Sequence, residues 1–348
     1  SRVSRKSRVS RPSRKSKASR KSLNKSPQTK SELSKNKYAI VSLLMMGDSY
    51  LPGILMVGKS IRNIDKGELK DIDLVCLVTP DISSDSRHDI LKYYDKIIEI
   101  PYIEIPYQNI KHKNIEMQKI YSKTFTKLNC FNLIEYEKII LIDADMIVLK
   151  SEFFSLFDIP APAGIFLGNL SGFKSNIKAL YNRVYGRYLT HGSLIPKSFY
   201  NITCDDIRKK YGYNGGCAYL GVETSICLLK PNIEDFEKLK SLILRAKPRT
   251  YKSDTDLISR YFEGKWRHID LKYLGRWVYP PEEPDYIVLD LYGMEGKPWQ
   301  IDKVKNLYKE YKDIRYWVEQ YLIEYKKSFE KNCKSKMLET LYNNLITL

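Results

Sequence analysis

Two carboxylates one residue apart, Asp143 and Asp145, follow directly on the apolar run Ile139-Ile140-Leu141-Ile142. A short run so rich in isoleucine reads as a strand buried on both faces of a parallel sheet. In open α/β sheets ligands bind beyond the carboxyl ends of the strands, so both acids stand where chemistry is done. With only Ala144 between them, their oxygens can reach one hard divalent cation, and such a cation can hold a diphosphate. The spacing points to chemistry on a nucleotide-activated substrate. The competing reading is a turn whose aspartates cap a following helix.

The elements that must position this pair are legible as alternating strand and helix patterns. Residues 38–45 predict a buried strand, 51–64 a helix with Pro52 in its first turn, 72–79 a second strand stopped by Pro80-Asp81, and 84–94 a helix. Residues 96–100 predict a third strand, and 115–133 a long helix feeding the strand that ends at Asp143. Beyond Asp145, short helices are expected at 151–157 and 174–188, then a Gly- and Tyr-rich insertion that ends near Gly221. A strand at 226–230 and helices at 233–246 and 254–262 follow. Alternation of this kind predicts an α/β fold with a doubly wound, mostly parallel sheet and flanking helices.

The charge is unevenly spread. Residues 1–37 hold six Arg and eight Lys against one Glu, thirteen of the net +18 charges, and repeat Ser-Arg-Lys-Ser at Ser4, Ser13 and Ser19. Without aromatics and with few aliphatics, this segment cannot bury enough surface to offset chain entropy and is expected to be disordered. It suits a tether to nucleic acid or another anionic surface, an import signal, or a solubilising tail. The other 311 residues carry only +5, so bulk charge says little about the folded body. The six cysteines (Cys76, Cys130, Cys204, Cys217, Cys227, Cys333) form no CxxC pair, which argues against zinc and for reduced core thiols in a cytoplasmic setting, or a nuclear one if the tail serves import. No apolar stretch approaches the roughly 20 residues of a membrane span, and no apolar segment follows the basic start as a secretory signal would require.

The order of motifs resembles the retaining glycosyltransferases of family 8, and among them the glycogenin-like enzymes. The resemblance is carried by Thr126-Lys127-Leu128-Asn129-Cys130-Phe131, then a strand, then Asp143-Ala144-Asp145, and by Lys297-Pro298-Trp299 near the far end. It runs from about Tyr38 to Trp299, strongest over 38–61, 124–149 and 290–299 and weak over 160–222. It implies a GT-A nucleotide-sugar-binding fold, Rossmann-like, over residues 38–301, within which this chain carries its own insertion at about 160–222; the charged, Tyr-rich stretch 302–348 reads as a helical extension. It also implies Mn2+, with Mg2+ as the alternative, and UDP-glucose or a related UDP-sugar as donor.

Residue by residue, the resemblance places Tyr50, in Gly47-Asp48-Ser49-Tyr50, against the uracil ring, with Asp48 beside it. Lys127 matches a lysine that contacts the donor near its sugar and phosphates. Ala144, Gly293 and Lys297 fall at the donor, with Lys297 on phosphate. Asp143 and Asp145 match metal ligands, and Asp290 stands where the family has a metal-binding histidine, either replacing it or leaving the site impaired. Asp254 matches an aspartate near the anomeric carbon; the glutamine after it becomes Thr255, and an Asn-Ser-Gly turn becomes Glu223-Thr224-Ser225. Transfer would proceed by same-face attack or by double displacement with Asp254 as nucleophile. The acceptor is a glycan, another protein or the chain's own tyrosine, and the family suggests a homodimer. Two readings compete: a nucleic-acid-binding protein with an impaired transferase-like domain, and a nucleotidyltransferase, against which Lys297-Pro298-Trp299 speaks.

Overall fold

Strand β1 (Tyr38–Leu44) runs parallel to a neighbour on each side, β2 (Ile72–Val78) and β4 (Lys138–Ile142). The computed structural model describes residues 36–166, 209, 222–262, 265–276, 286–291, 297 and 299–300. Among them a seven-stranded sheet has the order β3-β2-β1-β4-β7-β6-β8, where β3 is Lys96–Glu99, β6 Ala163–Phe166, β7 Val222–Leu229 and β8 Arg267–His268. The chain leaves β1 through α1 (Leu51–Ile64) towards β2 and later returns to β1's other flank as β4. That reversal makes a topological switch point between β1 and β4. The loop carrying Tyr50 and the loop carrying Asp143 and Asp145 leave the sheet side by side there.

Alternation along the strands sends side chains to both faces, and both faces are covered. Ile40, Leu44, Leu74, Cys76, Val78, Ile140 and Ile142 pack on one side with α1 residues Leu51, Ile54, Leu55 and Ile61. Ala39, Val41, Val75, Leu77, Ile139 and Leu141 pack on the other, beneath Phe125, Leu128 and Phe131 and helices α4 (Ile233–Leu244) and α5 (Asp254–Tyr261). Each of the Val, Leu, Ile and Phe side chains, fully buried, contributes about 1.5–3 kcal/mol, so the sheet is a rigid base for the loops at its edge. Two further α-helices are α2 (Ser84–Ile90) and α3 (Ile115–Lys123).

The mostly parallel, doubly wound sheet agrees with expectation, and helix α1 spans the predicted residues. Two differences have local causes. The helix expected over 115–133 tightens into a 3-10 helix, Thr124–Asn132. Thr124 Oγ1 donates to Tyr121 O at 2.9 Å, Asn129 Nδ2 donates to Thr126 O at 2.8 Å, and Thr126 Oγ1 bonds Ile103, so side chains compete for the backbone groups a regular helix needs. The strand expected at 226–230 begins at Val222, because beyond a bulge between Gly164 and Ile165 the pairing resumes, with Glu223 opposite Ile165 and Val222 opposite Phe166.

A second, three-stranded sheet joins β5 (Met146–Val148), β10 (Val288–Asp290) and β9 (Gly275–Arg276). The antiparallel β5–β10 register sets Asp290 opposite Met146, next to Asp145. Cys76, Cys130 and Cys227 are buried free thiols. Residues 1–35, most of the insertion, and 301–348 lie outside the described residues, with the expectations attached to them. Among the described residues no helix is long and apolar enough to cross a membrane.

Candidate active site

Asp143 stands one residue beyond β4, and its N–H still pairs with Ser225 O of β7 at 2.8 Å. Its carboxylate meets Lys127, whose Nζ lies 2.6 Å from Oδ1. Lys127 projects from the 3-10 helix on one face of the sheet, and its Nζ is also 3.8 Å from Oδ2 of Asp254 at the start of α5. One buried ammonium thus ties together two aspartates 111 positions apart in sequence. Burial alone would depress the Lys127 pKa, but the negative charges of Asp143 and Asp254 outweigh it and hold the ammonium well above its ordinary value. Burial pushes Asp143 up to about 7 against the opposing pull of Lys127, with Asp145 adding repulsion.

A second lysine guards the second acid. Lys297 Nζ lies 2.5 Å from Asp145 Oδ2 and donates to Leu291 O at 2.9 Å. Leu291 N–H in turn donates to Asp145 O at 3.0 Å, which closes β10 against the Asp145 backbone. Burial would lower the Lys297 pKa, but Asp145 and the Tyr50 phenol raise it further. Trp299 Nε1 donates to Ser49 O at 3.0 Å, and its ring meets Tyr50 edge-on with centroids 5.4 Å apart. Tyr50 is mostly buried, which raises its pKa; Lys297 opposes the rise and Asp145 and Asp143 add to it.

The fold therefore brings together Tyr50, Lys127, Asp143, Ala144, Asp145, Asp254, Asp290 and Lys297. Asp290 is buried, 1 % exposed, and its charge adds to the field at Lys297. Asp48 turns elsewhere: its Oδ1 accepts from Ser83 N at 3.1 Å and ties the turn before α1 to the loop after β2. Gly293 lies outside the described residues. Asp254 does not behave as a helix cap. The N-cap of α5 is Ser253, which makes no side-chain capping bond, while the Asp254 carboxylate turns to Lys127 and to Thr224 Oγ1 at 3.2 Å.

Among the described residues no three His, Cys, Asp or Glu side chains stand ready to hold one metal ion. The donor chemistry nonetheless fits a hard cation. Asp143 and Asp145 keep 26 % and 15 % of their side-chain surface exposed, and burial makes the Asp143 charge costly with one lysine beside it. Hard divalent ions choose carboxylate oxygen under these conditions.

Two features of the site carried no chemical signature in the sequence. Gly53, in the first turn of α1, lies so close beneath the Asp143–Asp145 loop that a Cβ there would sit 2.1 Å from Ala144 O and 2.8 Å from the Trp299 ring. The signal was a glycine inside a helical pattern, which usually marks close packing. Thr224 and Thr255, visible in the sequence as departures from the family pattern, join hydroxyl to hydroxyl at 2.7 Å beside Asp254.

Residues 41–189 match the sequence profile of Glycosyl transferase family 8. The chain is 26 % identical over 248 residues to protein R707 of Acanthamoeba polyphaga mimivirus, covering 70 % of this chain and 69 % of that one. It is 34 % identical over 108 residues to Glycogenin-2 of Homo sapiens, covering 31 % of this chain and 20 % of that one. A solved structure titled WbbM bifunctional glycosyltransferase, in its apo form, superposes with a TM-score of 0.52 at 13 % identity, over 89 % of this chain and 52 % of that one; it speaks for the fold. The chain thus spans about a fifth of the human relative and about half of the WbbM chain.

Proposed function

We propose, on the match of residues 41–189 to glycosyl transferase family 8, that the chain is a member of that family and transfers a sugar, glucose in the favoured reading, from a UDP-sugar to an acceptor with retention at the anomeric carbon. The observation that carries the reading is the pairing of two buried lysines with two adjacent carboxylates at the switch point, Lys127 on Asp143 and Lys297 on Asp145. Dianionic leaving groups need fixed positive charge, and a low-dielectric cleft makes it effective.

When bound, Mn2+ or Mg2+ would be held by Asp143 and Asp145, with Asp290 as third ligand, and would supply Lewis-acid charge to the diphosphate. The remaining roles fall to this chain's own side chains. Tyr50 seats the uracil ring on its face, a contact that needs no particular hydrogen-bond pattern. Lys297 releases Asp145 and turns to phosphate, and Lys127 offsets charge as the bond from sugar to phosphate breaks. Asp254 stands beside the anomeric carbon. The acceptor's proton passes to the departing phosphate in the same-face scheme, whereas in double displacement Asp254 forms and then loses a glycosyl bond.

The test uses the full chain with UDP-glucose and Mn2+. UDP release measured by an enzyme-coupled assay, together with intact mass, separates the outcomes. A mass increase in steps of one hexose identifies a self-acceptor, and release without added mass identifies water or an external acceptor. Absence of both UDP release and cation-dependent UDP binding would overturn the reading.

A further inference from the structure

We propose that Thr224, oriented by Thr255, is a positioning residue that sets the Asp254 carboxylate for the reaction; this rests on the transferase reading above. Thr224 is 1 % exposed, on β7, and its Oγ1 lies 3.2 Å from Asp254 Oδ2 and 2.7 Å from Thr255 Oγ1. A hydroxyl has one proton to give and two lone pairs. A carboxylate beside the Lys127 ammonium only accepts, so Thr224 must spend its proton on Asp254. Thr224 then accepts from Thr255, and the direction of both bonds follows: Thr255 to Thr224 to Asp254. Among the described residues every polar contact of the carboxylate falls on Oδ2, from Thr224 and from Lys127. The arrangement pins one oxygen, and on the transferase reading Oδ1 is the one offered to the donor sugar.

The geometry needs a hydroxyl at 224 and little else from that side chain. Valine keeps the volume and branching of threonine but cannot donate, so Oδ2 loses a charge-assisted bond in a buried site. Serine keeps the donor. Thr255 sits one step further out, and Thr255→Val leaves Thr224 bonded to Asp254 but without its own donor.

The experiment measures UDP release from UDP-glucose with Mn2+, and UDP affinity by calorimetry, for wild type, Thr224→Val, Thr224→Ser and Thr255→Val. The expected result is a kcat about 10- to 100-fold lower in Thr224→Val, a smaller fall in Thr255→Val, near wild-type kcat in Thr224→Ser, and a UDP affinity within about twofold throughout. Equal kcat in Thr224→Val and wild type overturns the inference. So does loss of UDP affinity or of thermal stability that parallels the loss of rate, which would make the contact merely structural. A wild-type protein that releases no UDP from UDP-glucose, UDP-galactose or UDP-N-acetylglucosamine overturns the transferase reading, and this inference with it.

Discussion

Lys297 reaches Asp145 across 152 positions of sequence, with Nζ 2.5 Å from Oδ2, and the contact closes the far end of the described chain onto the loop after β4. The two side chains are 11 % and 15 % exposed, so water screens the pair little. Removing one partner of a buried pair leaves an uncompensated charge, at a cost of about 3–5 kcal/mol when burial is complete. Lys297→Met is expected to lower stability by about 2–3 kcal/mol and UDP affinity about tenfold, read by urea unfolding and calorimetry. Lys37→Ala, which removes a surface pair with Glu137 that is 69 % and 60 % exposed, is expected to change stability by less than about 0.5 kcal/mol. Equal effects of the two substitutions would refute the argument.

Cation dependence should depend on the acid pair. Chelation with EDTA is expected to weaken UDP binding, and Mn2+ to restore it, in the wild-type chain. In Asp145→Asn the restoration should disappear, because an amide oxygen brings no net charge to a hard cation. Calorimetry that finds the same Mn2+-assisted binding in Asp145→Asn would exclude Asp145 as a ligand.

Gly53→Ala opposes two effects of known size. Alanine gains about 1 kcal/mol in helix propensity. The new Cβ, however, would lie 2.1 Å from a backbone oxygen, Ala144 O, and neither partner is a flexible tip that can swing away. Overpacking costs about 1–3 kcal/mol, and the forced shift moves the backbone that carries Asp143 and Asp145. Thermal unfolding should show a lower Tm together with weaker UDP binding. A Tm equal to or above wild type would show that the loop yields without cost.

His268 predicts a pH dependence with a defined sign. It is fully buried in β8 opposite Gly164, and burial pulls its pKa from 6.5 to about 3, the Gly164 backbone opposing. Below pH 6.5 the unfolded chain takes up a proton that the native state refuses, so stability falls as pH drops, by up to about 1.4 kcal/mol per unit. His268→Asn removes this term. Between pH 7 and pH 5 the stability advantage of wild type over the variant should shrink by about 2 kcal/mol in urea titrations. An unchanged difference would mean that His268 is protonated in the native state.

Much of the fold was legible because burial leaves period-two and helical traces in a linear text. Ile139–Ile142 announced a doubly covered strand, and the acids after it announced a ligand edge. The sites around Tyr50, Lys127 and Lys297 were reached through family resemblance, and the fold brings all three to the Asp143–Asp145 loop. The polar start of β7 was hidden, since Glu223-Thr224-Ser225 lacks apolar alternation where the strand faces the site.

By itself the sequence determined where β1, α1, β2 and β4 run and that two carboxylates end a buried strand, because these depend on neighbours along the chain. Only the tertiary structure decided that β7 runs antiparallel to β4, that each acid has its own lysine, that Thr224 donates to Asp254, and that Gly53 admits the Ala144 carbonyl. The physical reason is separation. Those partners lie tens to more than a hundred positions apart, and only packing of the sheet's two covered faces brings them within bonding distance.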